Sequence, residues 1–273
     1  MIDLGTGTPL VLVPGIQGRW EWMRPTVQAL ANHFRVLSFS LAGERTSGHV
    51  LDPALGFDNF IVQVDRVLAE AGVSDAVLCG VSYGGLIAAR YAALRPERVR
   101  ALVLASALAP GYTPDARVRF YLRAPWLLSP LFCVNAWRRS RREIRAALPT
   151  HRDRLAFSAG QLWRVAAHPT SPALMRDRIR LLEGVDFVSS MSSVVAPTLL
   201  ITGESALDSV VPPQHTLGYT RFLPHAESLT FERTGHIGVV TRPVVFADRV
   251  AAFVARAVCA AQSIPARRVA GGP

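Results

Sequence analysis

Five residues, Gly80-Val81-Ser82-Tyr83-Gly84, separate an apolar run, Ala76-Val77-Leu78-Cys79, from a small-residue stretch of helical character, Leu86 to Ala93. A strand entering such a turn and a helix leaving it put the serine hydroxyl on a sharp, strained bend at the carboxyl edge of a sheet. Neighbours bulkier than glycine would block that bend. The hydroxyl is a candidate nucleophile. Serine is a poor one near neutral pH, so it needs a base and a further group that orients the base.

The chain supplies both downstream. Glu227 to Glu232 reads as a strand running into Arg233-Thr234-Gly235-His236, which puts His236 on a loop at a strand's carboxyl end. The other six histidines fall in helices, polar loops or the arginine-rich middle. An earlier strand, Pro197 to Gly203, is followed by two carboxylates, Glu204 and Asp208. Asp208 opens Asp-Ser-Val-Val-Pro, where the loop turns into a helix begun by Pro212 and Pro213, and so is placed to reach the next loop. Glu204 is the alternative, and capping the helix is the plain structural role for Asp208. A carboxylate at this point need only accept the histidine's second N–H and stabilise the imidazolium.

The order Ser82, Asp208, His236, each at the end of a strand, resembles the α/β-hydrolase superfamily over nearly the whole chain. The resemblance implies that Ser82 attacks, His236 carries the proton and Asp208 holds the imidazole. It also implies two oxyanion donors. One is the backbone N–H of Tyr83, after the nucleophile; the other comes from the loop after the first long central strand. Leu10-Val11-Leu12-Val13-Pro14-Gly15-Ile16-Gln17-Gly18 matches that region and points to Ile16, with Gln17 second. The chain departs from the family at three places. Pro14 stands where a histidine commonly precedes the glycine. The segment Leu41 to Gly48 replaces the usual Asp and Arg-Gly-x-Gly turn. Only nine residues precede the Leu10 strand, so the family's opening β-hairpin is expected to be absent.

The elements that must position these residues alternate. Strands are expected near 10–13, 35–39, 76–80, 101–106, 197–202 and 227–232, and helices near 22–32, 57–71, 83–95, 213–221 and 243–261. This predicts an α/β fold whose mainly parallel sheet of about six strands is covered on both faces. Between Pro110 and Met191 the alternation gives way to helical segments broken by prolines. By the resemblance this insertion is a helical cap. The chain then divides into a core of residues 1–109 and 192–261, a cap of 110–191 and a small basic tail, 262–273, expected to be disordered. Trp126 and Trp163 are candidates to roof a pocket beneath the cap, and Trp20 and Trp22 to face it from beside the Ile16 loop.

Of 273 residues, half are hydrophobic, enough for a large core. The opening Met1-Ile2-Asp3-Leu4-Gly5 is neither a charged leader nor an apolar signal, and no run approaches eighteen apolar residues. These features predict a soluble, cytoplasmic protein without membrane contact. Cys79, Cys133 and Cys259 lack metal-ligand spacing and read as mostly buried thiols, so neither metal nor cofactor is implied. All thirty basic residues are arginine, giving a net charge of +10; fourteen of them, against six acids, fall in residues 110–190. No nucleic-acid-binding module surrounds Arg138-Arg139-Ser140-Arg141-Arg142, so the cluster reads as a solvated face, or as an attractor of anionic substrates or surfaces.

These readings converge on a Ser-His-Asp hydrolase for a small-molecule carboxylic ester or related acyl compound with a largely apolar part. Serine rather than aspartate at position 82 argues against enzymes with a carboxylate nucleophile, such as haloalkane dehalogenases and epoxide hydrolases. The same turn also serves acyltransferases, lactonases, carbon–carbon bond hydrolases and perhydrolases. A ligand receptor with slow turnover is the reading from a different class.

Overall fold

Seven strands form one sheet in the computed structural model of the chain, which describes residues 1–262. They are β1 (Ile2–Leu4), β2 (Pro9–Val13), β3 (Arg35–Ser38), β4 (Ala76–Val81), β5 (Val99–Ala105), β6 (Thr198–Gly203) and β7 (Glu227–Phe231), in the order β1-β3-β2-β4-β5-β6-β7. Every pairing is parallel except β1 with β3, where Ile2 lies opposite Ser38 and Leu4 opposite Val36. The first nine residues therefore contribute one strand beyond the six expected. At three residues, mostly solvent-facing, β1 is too short to show a hydrophobic period.

Helices cover both faces, which is why the central strands read as continuous apolar runs; all six residues of β4 are buried. Alternate residues of β2 divide between two cores. Val11 and Val13 join one with side chains of α2 (Asn59–Glu70) and α3 (Tyr83–Leu94). Leu10 and Leu12 join the other with α1 (Arg24–Leu30) and α10 (Pro243–Gln262). Because β2 has β3 on one side and β4 on the other, the connection after β2 runs one way along the sheet and the connection after β4 runs the other. The loops after β2 and β4 meet at the carboxyl edge, the usual position for a site in such sheets.

Between β5 and β6 the alternation is interrupted by four helices, α4 (Ala116–Arg123), α5 (Pro125–Ala147), α6 (His151–Ala167) and α7 (Pro172–Arg180). No side chain from 111 to 142 is buried; the inserted helices attach to the body through Glu143, Ile144 and Ala147 of α5 and through Arg178 and Ile179 of α7. Two short helices, α8 (Pro213–Leu217) and α9 (Gly238–Thr241), follow β6 and β7. Cys79 is buried in β4, but Cys133 and Cys259 are exposed, correcting the expectation of mostly buried thiols: both sit on helices outside the sheet core. Apart from Gln262 at the end of α10, the tail expected to be disordered lies outside the described residues.

Candidate active site

Ser82 sits between β4 and α3 with φ 56° and ψ −118°, one of three non-glycine residues at positive φ among those described. Its backbone is fixed on both sides. The Ser82 N–H donates to the Ala105 carbonyl at 2.9 Å, and its own carbonyl accepts from Gly85 N–H at 2.9 Å. The following glycine is required by close approach, since a Cβ on Gly84 would run into the Val13 and Pro14 carbonyl oxygens. That contact brings the loop after β2 against the serine turn. A Cβ built on Gly15 would come within 3.5 Å of the Ser82 Cβ. A tight turn, Gly18 N–H to Gly15 carbonyl at 2.8 Å, shapes this loop and holds Ile16 and Gln17, both half-buried, at its bend.

The loops after β6 and β7 interlock. A Cβ on Gly235 would lie 2.6 Å from the Leu207 carbonyl oxygen and 2.8 Å from the Asp208 nitrogen, so only glycine admits the approach that puts His236 beside Asp208. The Asp208 carboxylate has two distinct oxygens. Its Oδ1 accepts the N–H groups of Val210 at 3.0 Å and Val211 at 2.9 Å, while Oδ2 faces His236 Nδ1 at 3.7 Å. Both facing atoms are buried and have no hydrogen-bond partner in the structure. At 3.7 Å the pair is an ion-pair contact short of a hydrogen bond, a spacing that in ligand-free sites commonly tightens once substrate binds. Because Nδ1 faces the carboxylate, Nε2 is the nitrogen left for proton exchange. Glu204, the other carboxylate of the loop, instead accepts the Arg233 N–H at 2.6 Å.

The inserted helices reach this site at residues the sequence reading did not single out. Glu143, 2% exposed, accepts the N–H of Ile237 at 3.2 Å, and the Ala146 carbonyl accepts from Arg233 Nε at 2.9 Å. The C-terminal end of α5 thus docks on the His236 loop. Burial pushes the Glu143 carboxyl up to about 7, against the opposing pull of the Gly235 and Ile237 N–H groups and the charge of His236. One signal pointed to it: Glu143 is the lone acid between Asp115 and Asp153, in a run of arginines. Arg178 is fully buried against the Ile16 loop and had no such signal.

The tryptophans part company. Trp22 is half-buried, and its Nε1 donates to the His168 carbonyl at 2.9 Å, joining the loop after β2 to the end of α6. Trp20, also half-buried, carries the Arg24 guanidinium over its ring at 5.6 Å. Trp126 and Trp163 are 66% and 73% exposed, so neither is packed as a closed roof. A cavity of about 260 Å³ opens instead between Leu86 of α3, Tyr112 after β5, and Ile179, Leu182, Val185 and Phe187 at and beyond the end of α7. Leu86 lies one helical turn beyond Ser82. Among the described residues no cluster of three or more His, Cys, Asp or Glu side chains could hold a metal ion, and no helix is long and apolar enough to cross a membrane.

Known proteins share this architecture. The chain is 27% identical over 251 residues to a putative carbamate hydrolase, RutD, of Azorhizobium caulinodans, covering 91% of this chain and 92% of that one. It is 26% identical over 257 residues to a pimeloyl-[acyl-carrier protein] methyl ester esterase of Aliivibrio salmonicida, covering 92% and 93%. A bromoperoxidase structure from Bacillus anthracis superposes with a TM-score of 0.74 at 21% identity, covering 93% and 94%. The family model for the alpha/beta hydrolase fold matches residues 8–243, and with its parallel sheet and strand-end loops the chain belongs to that family.

Proposed function

We propose that the protein is a serine hydrolase that cleaves a carboxylic ester or related acyl compound through an acyl-enzyme on Ser82. Two pairs of strand-end loops carry the reading, those after β2 and β4 and those after β6 and β7, all at the carboxyl edge of one sheet. The strained Ser82 turn abuts Gly15 of the β2 loop, and the Gly235 contact sets His236 against a carboxylate with one free oxygen. The names of the relatives, a carbamate hydrolase and a methyl ester esterase, support carbonyl cleavage with a heteroatom leaving group.

The chemistry runs in two halves. Ser82 Oγ adds to the carbonyl carbon as His236 Nε2 takes its proton, and the oxyanion is held by the N–H groups of Ile16 and Tyr83. Asp208 Oδ2 accepts the Nδ1–H and stabilises the imidazolium. Collapse expels the leaving group, which takes the proton from Nε2, and leaves the acyl-enzyme. A water molecule then repeats the sequence, giving the acid and free Ser82. The inserted helices act as a cap, and the cavity beside Leu86 and Val185 takes the apolar part of the substrate.

Labelling with a fluorophosphonate probe, followed by p-nitrophenyl esters of increasing chain length, tests the reading. Labelling of the wild-type chain and not of Ser82→Ala, with turnover of at least one ester, is expected. A chain that neither labels nor turns over any of these esters overturns the reading and favours the ligand-receptor alternative.

A further inference from the structure

Among the described residues Arg178 is the largest side chain wholly excluded from solvent, and it comes from α7, not from the sheet. Its Nη1 donates to the Ile16 carbonyl at 2.9 Å, and its Nη2 donates to Glu44 Oε1 at 2.9 Å and to the Ala42 carbonyl at 3.4 Å. Its own carbonyl accepts from the Tyr83 hydroxyl at 2.9 Å. Gly18, at φ +70°, makes room for it, since a Cβ there would lie 2.5 Å from both terminal guanidinium nitrogens. One cap residue therefore bonds to both residues whose backbone N–H groups form the proposed oxyanion site, using its side chain for one and its main chain for the other.

We propose that Arg178 is a positioning residue of the oxyanion site, setting the spacing between the Ile16 and Tyr83 donors and making that spacing depend on the cap being seated. The inference rests on the serine-hydrolase reading. Two arguments carry it beyond ordinary packing. A buried ion pair such as Arg178 with Glu44 contributes little net stability against an apolar pair of the same volume, so stability alone is a weak reason to bury an arginine in this place. In addition, the guanidinium holds the Ile16 carbonyl and, through that rigid peptide unit, the Gln17 nitrogen, so it restrains the loop on the carboxyl side of the residue proposed to donate. Glu44 belongs to the segment Leu41 to Gly48, where the chain departs from its family. In this protein that segment supplies the counter-charge for an arginine reaching down from the cap.

The test uses the full chain with p-nitrophenyl butyrate as substrate and phenylboronic acid as a mimic of the tetrahedral intermediate. Arg178→Met is combined with Glu44→Gln so that no buried carboxylate is left alone. The expected result is a cooperative melt, a kcat lowered at least about tenfold with KM within about twofold, and boronate inhibition weakened at least about tenfold, in line with loss of an oxyanion donor. Loss confined to KM, or wild-type kcat and boronate affinity in the folded double variant, overturns the proposal. Tyr83→Phe severs the second bond without changing a charge and decides the matter should the double variant fail to fold. A kcat reduced at least about threefold with weaker boronate binding is expected, and an unchanged kcat overturns the proposal. If wild-type Ser82 labels and turns over while the variants behave like it, only the role of Arg178 falls. If the wild type neither labels nor turns over, the hydrolase reading falls and this inference with it.

Discussion

Glu143 accepts the backbone N–H of Ile237 at 3.2 Å, so a carboxyl from α5 anchors the residue next to His236. That carboxyl is buried and pushed up from 4.5 to about 7, chiefly by desolvation. An acid whose pKa is raised on folding binds a proton more tightly in the native state. Its unfavourable contribution is absent below about 4.5, grows as pH rises and is complete above about 7, at roughly 3 kcal/mol as an upper bound. Glu143→Gln keeps an oxygen to accept the Ile237 N–H and removes the ionisation. The variant is expected to be more stable than wild type at pH 8 by about 1–3 kcal/mol and nearly equal to it at pH 4, read from urea midpoints. A difference that does not change with pH would refute this account.

Ser82→Ala is expected to abolish ester hydrolysis with little change in melting temperature, because the serine hydroxyl sits on a turn and fills no core volume. Asp208→Asn should lower kcat by several orders of magnitude by presenting an amide to His236 Nδ1. Glu204→Gln should cost far less, since Glu204 is occupied with the Arg233 N–H. Steady-state rates on one ester for all three variants decide between the two carboxylates; a larger loss in Glu204→Gln would transfer the orienting role to it.

Gly84→Ala places a methyl group against the Val13 and Pro14 carbonyl oxygens. Both are backbone atoms of the strand and loop that carry Ile16, so relief requires that loop to move. The expected destabilisation is roughly 1–3 kcal/mol, with a fall in kcat larger than the loss of folded protein explains. Calorimetry paired with active-site titration separates the two effects, and full activity per folded molecule would show that the loop does not position a donor.

Val185→Phe narrows the cavity beside Leu86. Hydrolysis of long-chain p-nitrophenyl esters is expected to fall at least about tenfold relative to the acetate, an effect of roughly 1–3 kcal/mol. Trp126→Ala and Trp163→Ala, whose rings are mostly in solvent, should leave stability within about 0.5 kcal/mol of wild type. An unaltered chain-length profile in Val185→Phe would place the apolar part of the substrate elsewhere.

The sheet and the site loops were legible in the sequence because their causes are local. A strand covered on both faces must be apolar throughout, as β4 is, and the serine turn and the His236 loop need glycines where backbones touch. The same patterns placed Asp208 ahead of Glu204, and the structure puts Asp208 beside His236. What escaped was non-local. Ile2 to Leu4 becomes a strand only because β3 offers its edge 32 to 36 residues away in sequence. Arg178 and Glu143 have the composition of a solvated helix face, and their burial follows from how α5 and α7 settle on loops that precede or follow them by ninety residues and more. The exposed Trp126 and Trp163 illustrate the converse, since large apolar rings at helical spacing did not mark a buried face.

Residues 111–142 bury no side chain, whereas β5 before them is anchored in both cores and Glu143, Ile144 and Ala147 just after them are buried. Their backbone bonds are therefore guarded by little beyond helix formation itself, which for the eight-residue α4 is marginal in water and which in α5 is interrupted by Pro130. Amide protons there should exchange with solvent through local opening, orders of magnitude faster than those of β4 or β5. The seven arginines in this stretch make it, among the described residues, the part that trypsin would cut first. The molecule would melt in layers: its outermost helices open on their own while the sheet, and with it the Ser82 turn, remains closed.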